Sequence, residues 1–167
     1  MPALAGCGSA APAAPTAQAT MPAGYALPAL TGRVVDKADL LTAADEAALS
    51  ARSAALEKAT GHQFVIVTVP DLGGHGIEDY GLHLGRYWGI GRKHINDGVL
   101  LLVAPSERKV RIEIGKGLES TLTNARSAAI IAQDILPPFK AGDLPRGIIA
   151  GAATITRTLS PAGAKAT

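Results

Sequence analysis

Two short apolar runs set the terms on which this chain can fold. Phe64-Val65-Ile66-Val67-Thr68-Val69 and Val99-Leu100-Leu101-Leu102-Val103 are almost uninterrupted. Neither approaches the roughly 20 apolar residues of a bilayer-spanning helix. The first is rich in β-branched side chains and is closed by Pro70. A strand with one wet face alternates apolar and polar residues, so near-continuous apolarity at this length suits a strand covered on both faces. Such a sheet needs a layer of helices above and another below.

The intervening segments carry helical signals. Thr42-x-x-Asp45 is a capping-box pattern, in which each side chain accepts from a backbone N–H left unpaired at a helix start. Leu49 and Leu56 then share a face with Ala48, Ala55 and Ala59, and Gly61 suits the left-handed position that ends a helix. Ile77, Tyr80, Leu84, Tyr87 and Trp88 recur at steps of three and four, which gives a second amphipathic helix stopped by Gly89. That spacing already accounts for the Tyr and Trp as core residues. A third helix opens near Thr123 or Asn124, carries Ile130, Ile131 and Ile135, and is expected to stop at Pro137-Pro138, since proline lacks the N–H and crowds the preceding turn. A fourth follows Asp143 and uses Ile148, Ile149, Ala152, Ile155 and Leu159. Lys109, Arg111 and Glu113 alternate with Val110, Ile112 and Ile114, which makes a strand with one buried face. Across Pro105-Ser106-Glu107-Arg108 it pairs most simply with the preceding run as an antiparallel hairpin. The order predicts an α/β fold with helices on both faces of a mixed sheet.

Composition narrows the functional classes. At 167 residues the chain holds one domain and a tail. Lys and Arg number 16 against 14 Asp and Glu, with no basic run, so no nucleic-acid partner is expected. Cys7 is the only cysteine and the four histidines have no zinc-site spacing. Residues 1–30 are dominated by Ala, Pro, Thr and Gly and read as a flexible tether. The domain is placed at 31–160, and 161–167 form a short tail. Within the tether, Leu4-Ala5-Gly6-Cys7 resembles the lipobox of bacterial lipoproteins, in which the cysteine thiol is acylated. Only six residues precede Cys7, with no basic residue and no apolar stretch of signal length, so either a full signal needs residues upstream of Met1 or the match is chance in an Ala/Gly-rich stretch. Membrane contact is expected only through that anchor.

Several ordered patterns together resemble the TPM domain family. They are Thr31-Gly32-Arg33-Val34-Val35-Asp36 with Leu40-Leu41, Thr60-Gly61-His62-Gln63, Tyr87-Trp88-Gly89-Ile90-Gly91, Asp97-Gly98 into Val99–Val103, Arg108–Gly115, Gly117-Leu118-Glu119, and Ile135-Leu136-Pro137-Pro138-Phe139. The resemblance implies a Rossmann-like, three-layer αβα sandwich in a protein of the cell envelope or thylakoid lumen. It also implies links to photosystem II repair, divalent cation binding and acid phosphatase activity. It directs attention to an acidic cleft whose matching positions are Asp36, Asn96, Asp97 and Asn124, oxygen ligands suited to Ca²⁺ or Mg²⁺. Two departures weaken that set: the family commonly has Asp-Asn-Gly where Asn96-Asp97-Gly98 stands, and often Asp in place of Asn124.

Each candidate also has a plain structural role. Asp36 can cap a turn, Asn96-Asp97-Gly98 is a common turn tripeptide, and Asn124 suits a helix N-cap. Ligands in open α/β sheets gather at the carboxyl ends of strands, whereas Asp97 enters its strand at the amino end. Arg108 and Arg111 have guanidinium forks that match phosphate oxygens, but strand arginines are usually solvated. Glu113 and Glu119 are equally ambiguous, and Asp79, His75 and His94 read as surface residues. No Gly-x-Ser-x-Gly or phosphate-binding Gly-rich loop is present. The expected function is therefore a cell-envelope module that binds a divalent cation and serves in binding and assembly or repair, with an envelope protein as its partner. The alternative is a metal-dependent phosphatase in which Asp36 and Asp97 hold the cation and Arg111 steadies the phosphate.

Overall fold

A computed structural model of the protein describes residues 19–161. Cys7 with its lipobox-like run, the rest of the tether up to residue 18, and the tail from 162 lie outside the described residues. The elements run β1 (Val34–Asp36), α1 (Ala43–Thr60), β2 (Gln63–Thr68), α2 (Ile77–Trp88), β3 (Gly98–Ala104), β4 (Lys109–Ile114), α3 (Asn124–Ile130), α4 (Leu136–Lys140) and α5 (Leu144–Leu159), with a 3-10 turn at Lys116–Leu118 and a π turn at Ile131–Ile135. One four-stranded sheet has the order β1-β2-β3-β4. β1, β2 and β3 are parallel, and β3 and β4 form the antiparallel hairpin.

The two apolar runs are the inner strands, and successive side chains divide between two cores. Phe64 and Ile66 join Val99, Leu101 and Val103 under α1, α3 and α5. Val65 and Val67 join Leu100 and Leu102 under α2. The expected sandwich with helices on both faces is the observed fold. Local signals hold where the chemistry is local. Thr42 and Asp45 make the reciprocal capping box, and Gly61 ends α1 at φ 79°.

A strap covers what α2 leaves open. Leu27 is buried in the second core, with Tyr25 and Leu30 packed against it. The Trp88 indole donates to the Pro28 carbonyl at 2.8 Å, and Tyr25 stacks on His75 with ring centroids 3.9 Å apart. These residues fall in the stretch that composition reads as tether, and His75 is half-buried by the stack. A segment this poor in bulky groups orders because its few large side chains land on one apolar helix face.

The third helix does not stop at Pro137-Pro138. Ile131–Ile135 widen into a π turn in which Leu136 N–H reaches back to the Ile131 carbonyl, and the prolines become the opening positions of α4. The wider turn absorbs the missing proline donors, and a first helical turn has no use for them. α5 seats against this turn through Gly147 and Gly151. A Cβ at Gly147 would lie 2.5 Å from the Phe139 ring, and one at Gly151 would lie 2.6 Å from Ile135.

Candidate functional site

The sheet has two ends, and the expected site residues divide between them. Asp36 ends β1 at the carboxyl end, in register with Thr68. Its Oδ1 accepts from Leu40 N–H at 3.1 Å and its Oδ2 from Leu41 N–H at 2.8 Å. The buried Thr68 hydroxyl donates to Oδ1 as well and accepts from Ala38 N–H at 3.0 Å. Asp36 thus organises the turn from β1 into α1. Each such bond contributes about 1 kcal/mol to that turn.

Asp97 lies at the opposite end. It precedes Gly98, which is in register with Gln63 at the start of β2, and its carboxylate is fully buried. Arg92 grips it with its backbone N–H at 2.8 Å from Oδ1 and its Nε at 2.8 Å from Oδ2, while a terminal guanidinium nitrogen lies 2.6 Å away. His62 Nδ1 stands 3.1 Å from Oδ2. Burial pushes the Asp97 carboxyl up, but the hydrogen bonds from the Arg92 side chain and backbone and from His62 outweigh it and hold the group at about 2. The cluster clamps the loop between α2 and β3. Glycines make the clamp possible: a Cβ at Gly98 would lie 2.6 Å from the Ile90 side chain, and Gly91, at φ 99°, would put one 2.8 Å from Gly98 N.

The expected cation set is therefore not assembled. Asp36 is level with Thr68 and Asp97 lies one residue before the level of Gln63, so about 20 Å separates them along the strands at roughly 3.3 Å per strand residue. Asn96 is exposed beside Asp97 at φ 54°. Asn124 is exposed at the first position of α3, and the cap is Thr123, whose hydroxyl accepts from Arg126 N–H at 3.2 Å. Among the described residues, no group of three His, Cys, Asp or Glu side chains is placed to hold a metal ion. The donor chemistry agrees, since the Asp36 carboxylate is taken by two backbone amides and a hydroxyl and that of Asp97 by a guanidinium and an imidazole. Ca²⁺ or Mg²⁺ does not fit these four residues as one site. Arg111 is also removed from Asp36: it lies on edge strand β4 and donates from Nε to Glu113 at 2.7 Å.

The recess at the carboxyl end is of another kind. A groove of about 640 Å³ opens between the hairpin turn and α4. Arg108, Lys109 and Lys140 ring it, and Leu136, Phe139 and Leu144 wall it. Among the described residues, no carboxylate lines it. Among the described residues, none of the three cations is in an ion pair. Of the nearby acids, Glu107 accepts from Leu72 N–H at 2.8 Å through Oε1 while its Oε2 is buried without a hydrogen-bond partner among the described residues, and Asp143 caps α5 through Arg146 N–H.

The sequence profile of the TPM domain matches residues 34–158, from the start of β1 to the last turn of α5. The chain belongs to the TPM domain family. The N-terminal domain of a protein from P. gingivalis is similar, with 34% identity, a TM-score of 0.73, and coverage of 77% of this chain and 82% of that one. The BA42 protein of the psychrophilic bacterium Bizionia argentinensis shares the fold at 20% identity, with a TM-score of 0.62 over 72% of this chain and 82% of its own. So does the N-terminal domain of the cg2496 protein of Corynebacterium glutamicum, at 15% identity and a TM-score of 0.62 over 82% and 84%. Among proteins with curated descriptions, none matches the chain.

Within this TPM domain, Arg108 is the residue singled out from sequence that lies on the carboxyl-end groove. Lys109, Lys140 and Phe139 were not singled out, and neither were His62 and Arg92 beside Asp97. Lys109 reads as the polar half of an alternating strand and Lys140 falls between the third and fourth helices expected from sequence, so nothing local marks either one. His62 and Asp97 are 35 positions apart and meet only because β2 and β3 are adjacent and in register.

Proposed function

We propose that this TPM domain is a binding and assembly module of the cell envelope whose working site is the carboxyl-end groove. The observation that carries the reading is a ring of three cations with no lining carboxylate, at the end of the sheet where α/β folds present their loops. Such a ring attracts an anion, and among the described residues the groove's lining brings no hydroxyl, thiol, imidazole or carboxyl group to meet it. The ligand that fits is an anionic group on a small molecule or an envelope partner. The envelope setting rests on Leu4-Ala5-Gly6-Cys7 and on the family. No helix among the described residues is long and apolar enough to cross a membrane.

A hydrolase reading draws on a separate feature. The name of the matched family profile includes phosphatase, and His62, aligned by buried Asp97 beside Arg92, is an imidazole oriented as a proton carrier is. Titration with phenyl phosphate separates the two. The binding module gives saturable, salt-sensitive binding that is lost in Lys109→Gln/Lys140→Gln, with phenol release at the buffer rate. Turnover that saturates with phenyl phosphate and disappears in His62→Ala would replace it with the hydrolase.

A further inference from the structure

We infer that the carboxyl-end groove takes an organic anion bearing an apolar chain, of the class of alkyl phosphates and fatty-acyl carboxylates. This rests on the binding-module reading and names its ligand. The cations account for the head of such a molecule. Arg108, Lys109 and Lys140 are exposed, line one recess and, among the described residues, form no ion pair. An inorganic anion would satisfy them and leave the rest of the groove wet. The walls account for the tail, because Leu136, Phe139 and Leu144 are half-buried apolar side chains turned to the same space. Covering them contributes about 25 cal/mol per Å² of apolar surface, which a bare phosphate cannot supply. The volume of about 640 Å³ lies within the range of roughly 300 to 1,000 Å³ common for small-molecule sites.

The groove is also built rather than incidental. Its far wall is α4, and α4 has its direction because the chain passes Pro137-Pro138 through the π turn instead of ending there. Phe139 is held by the close approach of Gly147. π turns of this sort recur at functional sites, and a wall fixed beforehand lowers the ordering cost of binding. On the near side, Arg108 closes the hairpin at φ 53°, with its N–H bonded to the Pro105 carbonyl at 3.1 Å. That conformation favours Gly or Asn, so an arginine there keeps a guanidinium at the rim against a local backbone cost. The strap arrives at the same end of the sheet, where His75 Nε2 lies 2.9 Å from the Gly24 carbonyl, and Met21 is exposed just before it.

The experiment is calorimetric titration of the full chain with octyl phosphate, inorganic phosphate and octyl glucoside, each below its micelle concentration. Octyl phosphate is expected to bind about tenfold or more tighter than either of the others, since only it meets both the cations and the walls. Lys109→Gln/Lys140→Gln, an exposed pair whose change leaves the melting temperature in place, is expected to weaken octyl phosphate about tenfold or more through the loss of two charge-assisted contacts. Phosphate binding as tightly as octyl phosphate overturns the apolar-chain inference and leaves the binding module standing. Absence of any anion binding, or binding unchanged in the double variant, overturns both. Co-sedimentation with phosphatidylglycerol vesicles but not phosphatidylcholine vesicles, lost in the double variant, assigns the ligand to the membrane. Octyl phosphate binding without co-sedimentation assigns it to a free amphiphile.

Discussion

Asp97, expected from the family resemblance to hold a cation, has protein partners in the fold. The resemblance implies a hard-cation ligand there, yet Arg92 supplies the counter-charge, His62 Nδ1 stands at hydrogen-bond distance, and the carboxylate is completely buried. Because the folded carboxyl is held at about 2 against an ordinary 3.8, its ionised form stabilises the fold. That contribution is complete above the ordinary value and is lost as pH falls through about 4 toward 2. Urea midpoints should therefore show about 2 kcal/mol of stability lost by the wild type between pH 5 and pH 2, with Asp97→Asn already lacking it at pH 7. Parallel pH dependence in the two proteins would mean that Asp97 is not the titrating group. The Arg92 contact lies within five residues and was open to local reading. The contact to His62 was not, because no periodicity links the residues that precede two different strands.

At the scale of elements, glycine marks which helix surfaces are in contact and which are free. Replacing a helical glycine by alanine ordinarily stabilises by about 0.5 to 1 kcal/mol. Gly85 on α2 has nothing within 4 Å of a new Cβ, so Gly85→Ala should raise the urea midpoint by that amount. Gly147→Ala should do the reverse, losing about 1 to 3 kcal/mol, because the methyl group meets the Phe139 ring and the Ile135 carbonyl. Thermal melts of the two variants moving in the same direction would contradict the packing of α5 on the π turn. The capping box of α1, the stop at Gly61 and the hairpin were all legible in sequence, since each depends on residues a few positions apart. The passage through Pro137-Pro138 was not, because a π turn becomes affordable only when α5 packs against it.

Across the whole molecule, one face of the sheet carries α1, α3 and α5 while the other carries α2 and the strap. The strap is thus part of the second core rather than an attachment to it. A chain starting at residue 31 loses the burial of Leu27, the packing of Tyr25 and Leu30, and the Pro28 carbonyl bonded to Trp88. It should unfold about 3 kcal/mol more easily than one starting at residue 19, and its Trp88 emission should shift to the red. Equal midpoints and unchanged emission would show that α2 closes that core alone.

The amino-acid sequence by itself determined the layered α/β architecture, the two doubly buried strands, the hairpin, most helix ends and the family. The family follows from the order of its motifs along the chain, and the rest from periodicity, capping and turn chemistry, which act over a few residues. Tertiary structure alone decided that Asp36 and Asp97 stand at opposite ends of the sheet, that His62 reaches Asp97, that the strap belongs to a core, and that Arg108, Lys109 and Lys140 ring an apolar groove. Each of these depends on strand order and register or on how separate elements pack, and no local pattern in the chain records them.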